Sequence, residues 1–249
     1  MVFSDTVNDS GIIQDINDWC GTDDISYPIA KKTRDINAWL DRVVSLILQS
    51  DGRWQWDDSN YTNLPIGTGK LVSGQQDYNI SGSTFLNISR LEVMGIDGCY
   101  HLVEPIDEHD IQNQALSEYM KTPGMPVKYD KKGDSVFLYP VPSSEFVTLD
   151  KGLKVSFQRV GSYFTATDTT KSPGFNPLFH RILSLGPSLD YVSKNELVTK
   201  VKIISPMVDK LEAGLVLAYS TRSKDEKTSL KLRRENYGTG GFHTSDKQP

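Results

Sequence analysis

The chain has only two cysteines, Cys20 and Cys99, and four histidines among its 249 residues. The cysteines are far apart and match no metal-ligand spacing, so we expect two buried thiols rather than a disulfide or a zinc site. No apolar run approaches the roughly 18 residues of a membrane-spanning helix. The N-terminus MVFSDTVNDS lacks the basic start and apolar centre of a signal peptide. These absences predict a protein that stays in the compartment where it is made, away from membranes.

Basic residues are missing from the beginning of the chain. No Lys or Arg precedes Lys31, whereas six aspartates do: Asp5, Asp9, Asp15, Asp18, Asp23 and Asp24. The end of the chain is the opposite, because seven Lys or Arg and four Asp or Glu follow residue 220. The first 220 residues therefore hold 20 basic and 28 acidic residues, a net charge of −8. A body with this charge is expected to repel nucleic acid at long range rather than bind it.

Catalytic and cofactor motifs are also missing. Gly67–Lys70 has the glycines and lysine of a phosphate-binding loop, but Leu64 and Leu71 stand where that motif needs a glycine and a Ser or Thr. The run Asp107–Asp110 contains metal-ligand side chains, yet an acidic first turn of a helix explains it without a metal. No histidine accompanies a Cys or Ser in a recognisable nucleophile setting. We therefore expect a protein that is not an enzyme and has no cofactor.

Hydrophobic periodicity predicts helices at both ends of the chain. Apolar residues repeat at intervals of three, four and seven, as in Ile36, Leu40, Val43 and Ile47, which indicates one buried helical face. The predicted helices cover residues 11–20, 28–49, 107–120 and 176–219, the last with a break near Pro187 or Pro206.

Between about residues 66 and 160 the hydrophobic period changes to two, which is typical of strands. Asp97-Gly98 joins two such runs and predicts a tight hairpin in which both turn residues take positive φ. A second hairpin is predicted from Val127–Asp130 and Ser135–Tyr139. Leu153, Val155 and Phe157 alternate with polar residues, so one face of that strand is expected to be buried.

These elements predict an α+β fold in which terminal helices form a helical bundle around an inserted antiparallel β domain, followed by an extended C-terminal arm. The corresponding domains are an N-terminal helical part (1–64), a β domain with one helix (65–160), a C-terminal helical part that packs on the N-terminal helices (161–220) and the arm (221–249).

The stretch SDGRWQWDDSNYTNLP, residues 50–65, is predicted to be a rigid link between the helices and the β domain. Trp54, Trp56 and Tyr61 are its large aromatic residues. The two tryptophans are expected either to pack beneath an irregular loop, to form an aromatic platform for a ligand, or to lie in a subunit interface, where Trp and Tyr are enriched. All three aromatic residues are candidate partner-binding residues.

The C-terminal segment is basic, polar and glycine-containing, which predicts an extended or disordered tail. Asp225, Glu226 and Glu235 interrupt its basic residues, which argues against a nucleic-acid site. It is expected either to remain solvated or to order itself on another protein chain. Its candidate partner-binding residues are Arg222, Lys224, Leu230, Lys231, Leu232, Arg233, Arg234 and Tyr237.

Four runs resemble a known class of proteins: SLILQSDGRWQWDDSNYTNLPIGTGKLVSGQQDYNI, SVFLYPVP, LKVSFQRVGSYFTATDTTKSPGFNPLFHRIL and YSTRSKDEK. With these runs, the chain resembles the head–tail connector (adaptor, or neck) proteins of tailed bacteriophages from about Ile29 to Lys227. The resemblance implies a structural virion protein, made in the host cytoplasm, that forms a ring, usually dodecameric, beneath the portal protein. Such a ring also contacts downstream neck or tail proteins, and the genome passes through its channel without specific binding.

A virion or tail-associated binding module, such as a carbohydrate-binding or decoration protein, is the alternative function. It would use exposed aromatic residues of the β region, and Tyr78, Tyr100, Tyr129 and Tyr139 are available for that purpose.

Overall fold

The structure is a computed structural model that describes residues 1–50, 56–82, 84–106 and 122–220. The predicted helix at 107–120 and the predicted arm at 221–249 lie outside these residues. The helices and strands are, in chain order, α1 (Ile12–Cys20), α2 (Ile29–Ser50), β1 (Ile66–Gly69), β2 (Asp77–Asn79), β3 (Phe85–Met94), β4 (Tyr100–Pro105), β5 (Lys128–Lys132), β6 (Ser135–Tyr139), β7 (Leu153–Arg159), a 3-10 helix (Pro177–Phe179), α3 (Ile182–Lys194) and α4 (Val198–Ser220).

The four helices pack against one another around one hydrophobic core. The apolar stripe of α2 is buried in that core, as its sequence period predicts. Gly186 of α3 lies against Trp39 of α2, because a Cβ atom on Gly186 would come within 2.1 Å of the indole ring. The indole nitrogen of Trp39 donates a hydrogen bond to Asp190 at 2.6 Å. This close contact fixes α2 against α3.

The break between the last two helices lies at Asn195–Leu197, so the prediction of a break at Pro187 or Pro206 is wrong. Both prolines lie inside helices. A proline within a helix removes one backbone hydrogen bond and costs about 3 kcal/mol. Around Pro187 the buried face of α3 offsets that cost, because every residue from Ile182 to Ser188 is buried. The chain turns instead at Glu196, whose φ of 58° no helix can continue.

The strands form one seven-stranded sheet in the order β1-β7-β3-β4-β5-β6-β2. The neighbouring strands are antiparallel except β4 and β5, which are parallel, with Glu104 opposite Lys128 and Pro105 opposite Tyr129. The sheet is curled into a half-barrel around a second hydrophobic core that includes Leu91, Val103 and Leu138.

The predicted fold class, a terminal helical bundle with an inserted antiparallel β domain and a C-terminal arm, is wrong, because the strands form this curled mixed half-barrel. The parallel pair has a physical cause in the connection between its strands. A two-residue turn forces the next strand to run antiparallel, whereas a connection of a dozen or more residues carries the chain back to the same end of the sheet. Residues 106–127 provide such a connection between β4 and β5.

The hairpin predicted at Asp97-Gly98 is confirmed, since β3 and β4 are antiparallel with Met94 opposite Tyr100. The prediction that both turn residues have positive φ is wrong, because only Gly98 does, at 76°. The N–H of Gly98 donates to the carbonyl of Gly95 at 3.1 Å, which is typical of a three-residue loop that ends in a left-handed glycine.

The second predicted hairpin is also confirmed, with β5 and β6 antiparallel. The cysteine prediction is half wrong. Cys20 is buried in the helical core, but Cys99 is exposed because it follows the turn at Gly98.

A buried histidine makes the stability of the fold pH-dependent. His180 is almost fully buried, and its Nε2 lies 2.9 Å from the carbonyl of Phe175. Burial lowers the pKa of His180 below its usual 6.5. The folded chain therefore holds His180 neutral at a pH where the unfolded chain has begun to protonate it. Stability is fully present above pH 6.5 and is lost as the pH falls below that value, until the folded pKa is reached.

We expect the melting temperature to fall between pH 7.5 and 5.5. The corresponding loss in the free energy of unfolding is about 1.4 kcal/mol for each unit by which folding lowers the pKa of His180. Scanning calorimetry of the chain and of His180→Gln measures it, and the variant should lose most of this pH dependence. His101→Gln is the control, because His101 is half-exposed beside Asp97. Equal pH dependence in the chain and both variants would contradict the assignment.

Candidate functional site

The candidate site is the place where the chain passes between the helices and the sheet. Residues 56–65 lead from the helices to β1, and residues 159–176, which begin with the last residue of β7, lead back to the 3-10 helix. We call these two passages the junction. Trp56 and Tyr61, which the sequence marks as candidate partner-binding residues, both lie in the first passage.

Arg159 holds the two passages of the junction together. Its side chain is only 4 % exposed. Its Nε and Nη2 donate to the two carboxylate oxygens of Asp57 at 2.7 and 2.6 Å, which makes a bidentate ion pair. Nη2 also donates to the carbonyl of Asn63 at 2.6 Å, and Nη1 to its side chain at 3.2 Å. The hydrogen bonds to Asp57 raise the pKa of Arg159. The guanidinium is therefore charged, and four of its five N–H groups donate to the first passage.

Tyr61 covers the same guanidinium. Its ring centre lies 3.7 Å from the guanidinium carbon of Arg159, the geometry of a cation–π contact. Its hydroxyl donates to the carbonyl of Val160 at 3.1 Å. Burial raises the pKa of Tyr61, so the hydroxyl keeps its proton at neutral pH. Tyr61 is thus bonded within the junction on both its ring and its hydroxyl.

Asp58 makes the second connection between the passages. It is 2 % exposed, and its carboxylate accepts from the N–H of Asn60 at 2.9 Å and from the N–H of Ser162 at 2.8 Å. Gly174 lies against it, because a Cβ atom there would come within 1.7 Å of the carboxylate. The N–H of Ser59 donates to the carbonyl of Gly174 at 3.1 Å. A buried carboxylate with these donors fixes the path of both passages.

Trp56 is buried in the helical core, with 9 % of its surface exposed. It also lines a cavity of about 230 Å³ together with Leu64, Pro65 and Ile66. Its burial agrees with the prediction that it packs beneath the loop. Trp54 lies outside the described residues, as do the candidate residues of the tail: Arg222, Lys224, Leu230, Lys231, Leu232, Arg233, Arg234 and Tyr237.

No sequence motif marks Arg159, Asp57 or Asp58 as residues of the site. A signal for Arg159 was present, because the alternation that buries Leu153 and Val155 places Arg159 on the same face of β7. A charged residue at the end of a buried face requires a partner of opposite charge. Nothing in the sequence indicates which of the many acidic residues that partner is.

The aromatic residues considered for a binding module differ in their surroundings. Tyr78 is buried in the sheet core, and its hydroxyl oxygen lies 3.1 and 3.0 Å from the carbonyl oxygens of Val72 and Gln75, either of which can accept its proton. Tyr100, Tyr129 and Tyr139 are partly exposed. Tyr78 is therefore a structural residue and does not contribute to a surface platform.

Within residues 1–50, 56–82, 84–106 and 122–220, no three His, Cys, Asp or Glu side chains cluster as a metal ion would require. In the same residues, no helix combines the length and the apolarity that crossing a membrane requires.

No protein-family model matches the chain, and no curated protein matches it with significant similarity. The resemblance to head–tail connectors therefore remains a prediction that rests on the runs quoted above.

Proposed function

We propose that the protein is a head–tail connector of a tailed bacteriophage, a non-enzymatic structural protein of the virion neck. In this proposal its copies form a ring, dodecameric as is usual for such proteins, that binds the portal protein above and neck or tail proteins below. The observation that carries the proposal concerns the two longest resembling runs, residues 45–80 and 153–183. They are far apart in the sequence, and Arg159 of one bonds to Asp57 and Asn63 of the other.

The junction suits a protein that holds two partners in register. The helices and the half-barrel have separate hydrophobic cores, so their relative position depends on the chain passages between them. A linker without contacts between its two passages would let the helices and the half-barrel rotate relative to each other. The bidentate ion pair of Arg159 with Asp57 and the buried Asp58 resist that rotation. A ring subunit that contacts one partner through each part needs this rigidity.

The charge of the body supports the proposed passage of DNA. A channel through which the genome moves should bind it weakly, and repulsion between an acidic body and phosphates meets that requirement. The net charge of −8 over residues 1–220 has the required sign.

The proposal is tested with DNA-filled heads that carry a portal but lack a tail. We expect the full-length protein to sediment with these heads and to appear as a ring at the portal vertex by electron microscopy. Capsids assembled without portal are the control and should leave the protein in solution. Failure to bind portal-bearing heads would contradict the proposal. Sub-micromolar binding of duplex DNA at physiological salt, or hydrolysis of a nucleotide, would contradict it as well.

Deleting residues 221–249 should weaken attachment to portal-bearing heads while leaving the melting temperature nearly unchanged. The core residues that the structure describes all lie between Phe3 and Tyr219, so the deletion removes none of them. The basic residues of the tail, together with Leu230, Leu232 and Tyr237, are suited to a segment that folds on a partner. Co-sedimentation and calorimetry measure the two effects. Unchanged attachment, or loss of folding, would contradict the role of the tail.

A further inference from the structure

The half-barrel has an open seam between its first and last strands. β1 and β2 follow each other in the chain but lie at opposite ends of the strand order. Both border one cleft of about 320 Å³, which touches Gly67 and Gly69 of β1 and Asn79 at the end of β2. Phe85, Val155 and Phe157 form its apolar wall. Among the described residues the curled sheet thus leaves an apolar cleft beside a strand edge that no further strand pairs with, and we call this place the seam.

The edge of β1 offers backbone groups to a further strand. In an antiparallel ladder, alternate residues bond to the neighbouring strand. The carbonyl of Pro65 accepts from the N–H of Phe157 at 3.0 Å, so Gly67 and Gly69 are the residues of β1 that bond to β7. Thr68 therefore turns its N–H and its carbonyl toward the seam. An added strand would pair with Thr68.

The two glycines leave the inner face of β1 bare. A Cβ atom on Gly67 would lie 3.9 Å from Phe157, and one on Gly69 would lie 3.7 Å from Leu153, both ordinary contacts. Neither glycine has the positive φ that would require it. Side chains would therefore fit here, and their absence leaves the cleft open. Large apolar side chains on a neighbouring strand, opposite these glycines, would fill it.

The C-terminal tail contains a segment with the matching pattern. In SLKLR, residues 229–233, apolar and polar residues alternate, so Leu230 and Leu232 lie on one face of an extended strand and Lys231 on the other. With Lys231 paired to Thr68, the two leucines stand opposite Gly67 and Gly69. The pattern of two leucines separated by one residue thus complements two glycines separated by one residue.

We propose that Ser229–Arg233 of one copy adds as a strand to the β1 edge of a neighbouring copy and places Leu230 and Leu232 in the cleft. Strand addition of this kind derives affinity from backbone hydrogen bonds and specificity from alternate side chains. α4 ends at Ser220, and Tyr219 is bonded to the N–H of Asn176 at 3.1 Å, so the tail begins near the junction. The roughly ten residues between the end of α4 and Leu230 can span at most about 33–36 Å when fully extended, which is the distance over which the tail can reach a seam.

The choice of a neighbouring copy rests on the proposed ring. In a ring, the seam of the next subunit is held close to the tail, and the effective concentration for strand addition is high. The tail has a net charge of +3 and the body −8, so the tail of one copy is attracted to the body of the next. Exchange between copies strengthens the ring, whereas a tail that filled its own seam would add no contact between subunits.

Disulfide trapping in the full-length chain tests the pairing. The variant carries Thr68→Cys and Lys231→Cys, with Cys99→Ser to remove the exposed native thiol. Residues directly opposite each other in a bonded pair have Cα atoms about 5.5 Å apart, within the range that a disulfide spans. After mild oxidation on portal-bearing heads, we expect a ladder of linked chains on a non-reducing gel. Adding Leu230→Asp and Leu232→Asp should abolish the ladder.

The control replaces Thr68→Cys by Ser193→Cys, an exposed position on α3, and reports linkage by random encounter. Linkage no greater than in this control, or a disulfide within single chains, would overturn the exchange. Heads that bind the protein without a ladder would overturn the exchange but leave the connector proposal standing. A ladder in concentrated free protein that never binds heads would support the exchange and contradict the connector proposal.

Discussion

Replacing Arg159 by alanine should lower the free energy of unfolding by about 3–5 kcal/mol, as expected when one partner of a buried ion pair is removed. The substitution leaves the carboxylate of Asp57 and the carbonyl of Asn63 without their donors. Asp57 is 25 % exposed and can recover some hydration, so the loss should lie near the lower end of that range. Equilibrium unfolding in urea, followed by circular dichroism, measures the change.

Two variants make the Arg159 experiment specific. Arg34→Ala removes an arginine that also donates from Nε and Nη2 to a neighbouring carboxylate, that of Asp35, but the Arg34 side chain is 70 % exposed. It should leave the unfolding midpoint unchanged. Arg159→Lys keeps the charge but loses the planar fork, so its midpoint should lie between those of the chain and Arg159→Ala. A midpoint for Arg159→Ala equal to that of Arg34→Ala would show that the junction is not held by this pair.

The parts of the fold that depend on local pattern could be predicted from the sequence. The stripe Ile36, Leu40, Val43 and Ile47 buries one face of α2 whatever lies opposite it. The alternation of Leu153 and Val155 with polar residues likewise gives β7 one buried face. Gly98 at the β3–β4 turn is a third example, because only a left-handed residue closes that loop. In each case a few neighbouring residues determine the outcome.

The predictions that are wrong concern places where residues far apart in the sequence determine the structure. The parallel pairing of β4 with β5 requires the long connection between them, residues 106–127, and does not follow from the pattern of either strand. The helix continues through Pro187 because every residue from Ile182 to Ser188 is buried, which the sequence of α3 alone does not reveal. Tertiary packing outweighs local preference in both cases.

The candidate site divides in the same way. The aromatic residues Trp56 and Tyr61 could be selected because large aromatic side chains beside a helix exit indicate packing or an interface. The ion pair of Arg159 with Asp57 joins residues 102 positions apart, and no local pattern predicts that separation. The roles proposed for the tail remain predictions, because the tail lies outside the described residues.

Replacing Trp56 by alanine should lower the free energy of unfolding by about 3–5 kcal/mol. The indole is buried in the helical core and already borders a cavity of about 230 Å³. Removing the indole enlarges this cavity. Its other walls, including Pro65, are held in place by the junction, so the surrounding residues cannot move in to fill the space. Trp56→Phe removes less buried volume than Trp56→Ala and should therefore cost less. Urea unfolding of both variants measures the difference.

The same variants separate packing from a role in assembly. If Trp56 only packs, Trp56→Phe should attach to portal-bearing heads as well as the unchanged chain, and Trp56→Ala should fail only where it is unfolded. Leu64→Ser is the matched surface control, because Leu64 borders the same cavity but is 73 % exposed. Its loss should leave stability unchanged, since the leucine is already hydrated in the folded state. A Trp56 variant that unfolds normally yet does not attach would identify the indole as an interface anchor, and the cavity beside it would then be part of that interface.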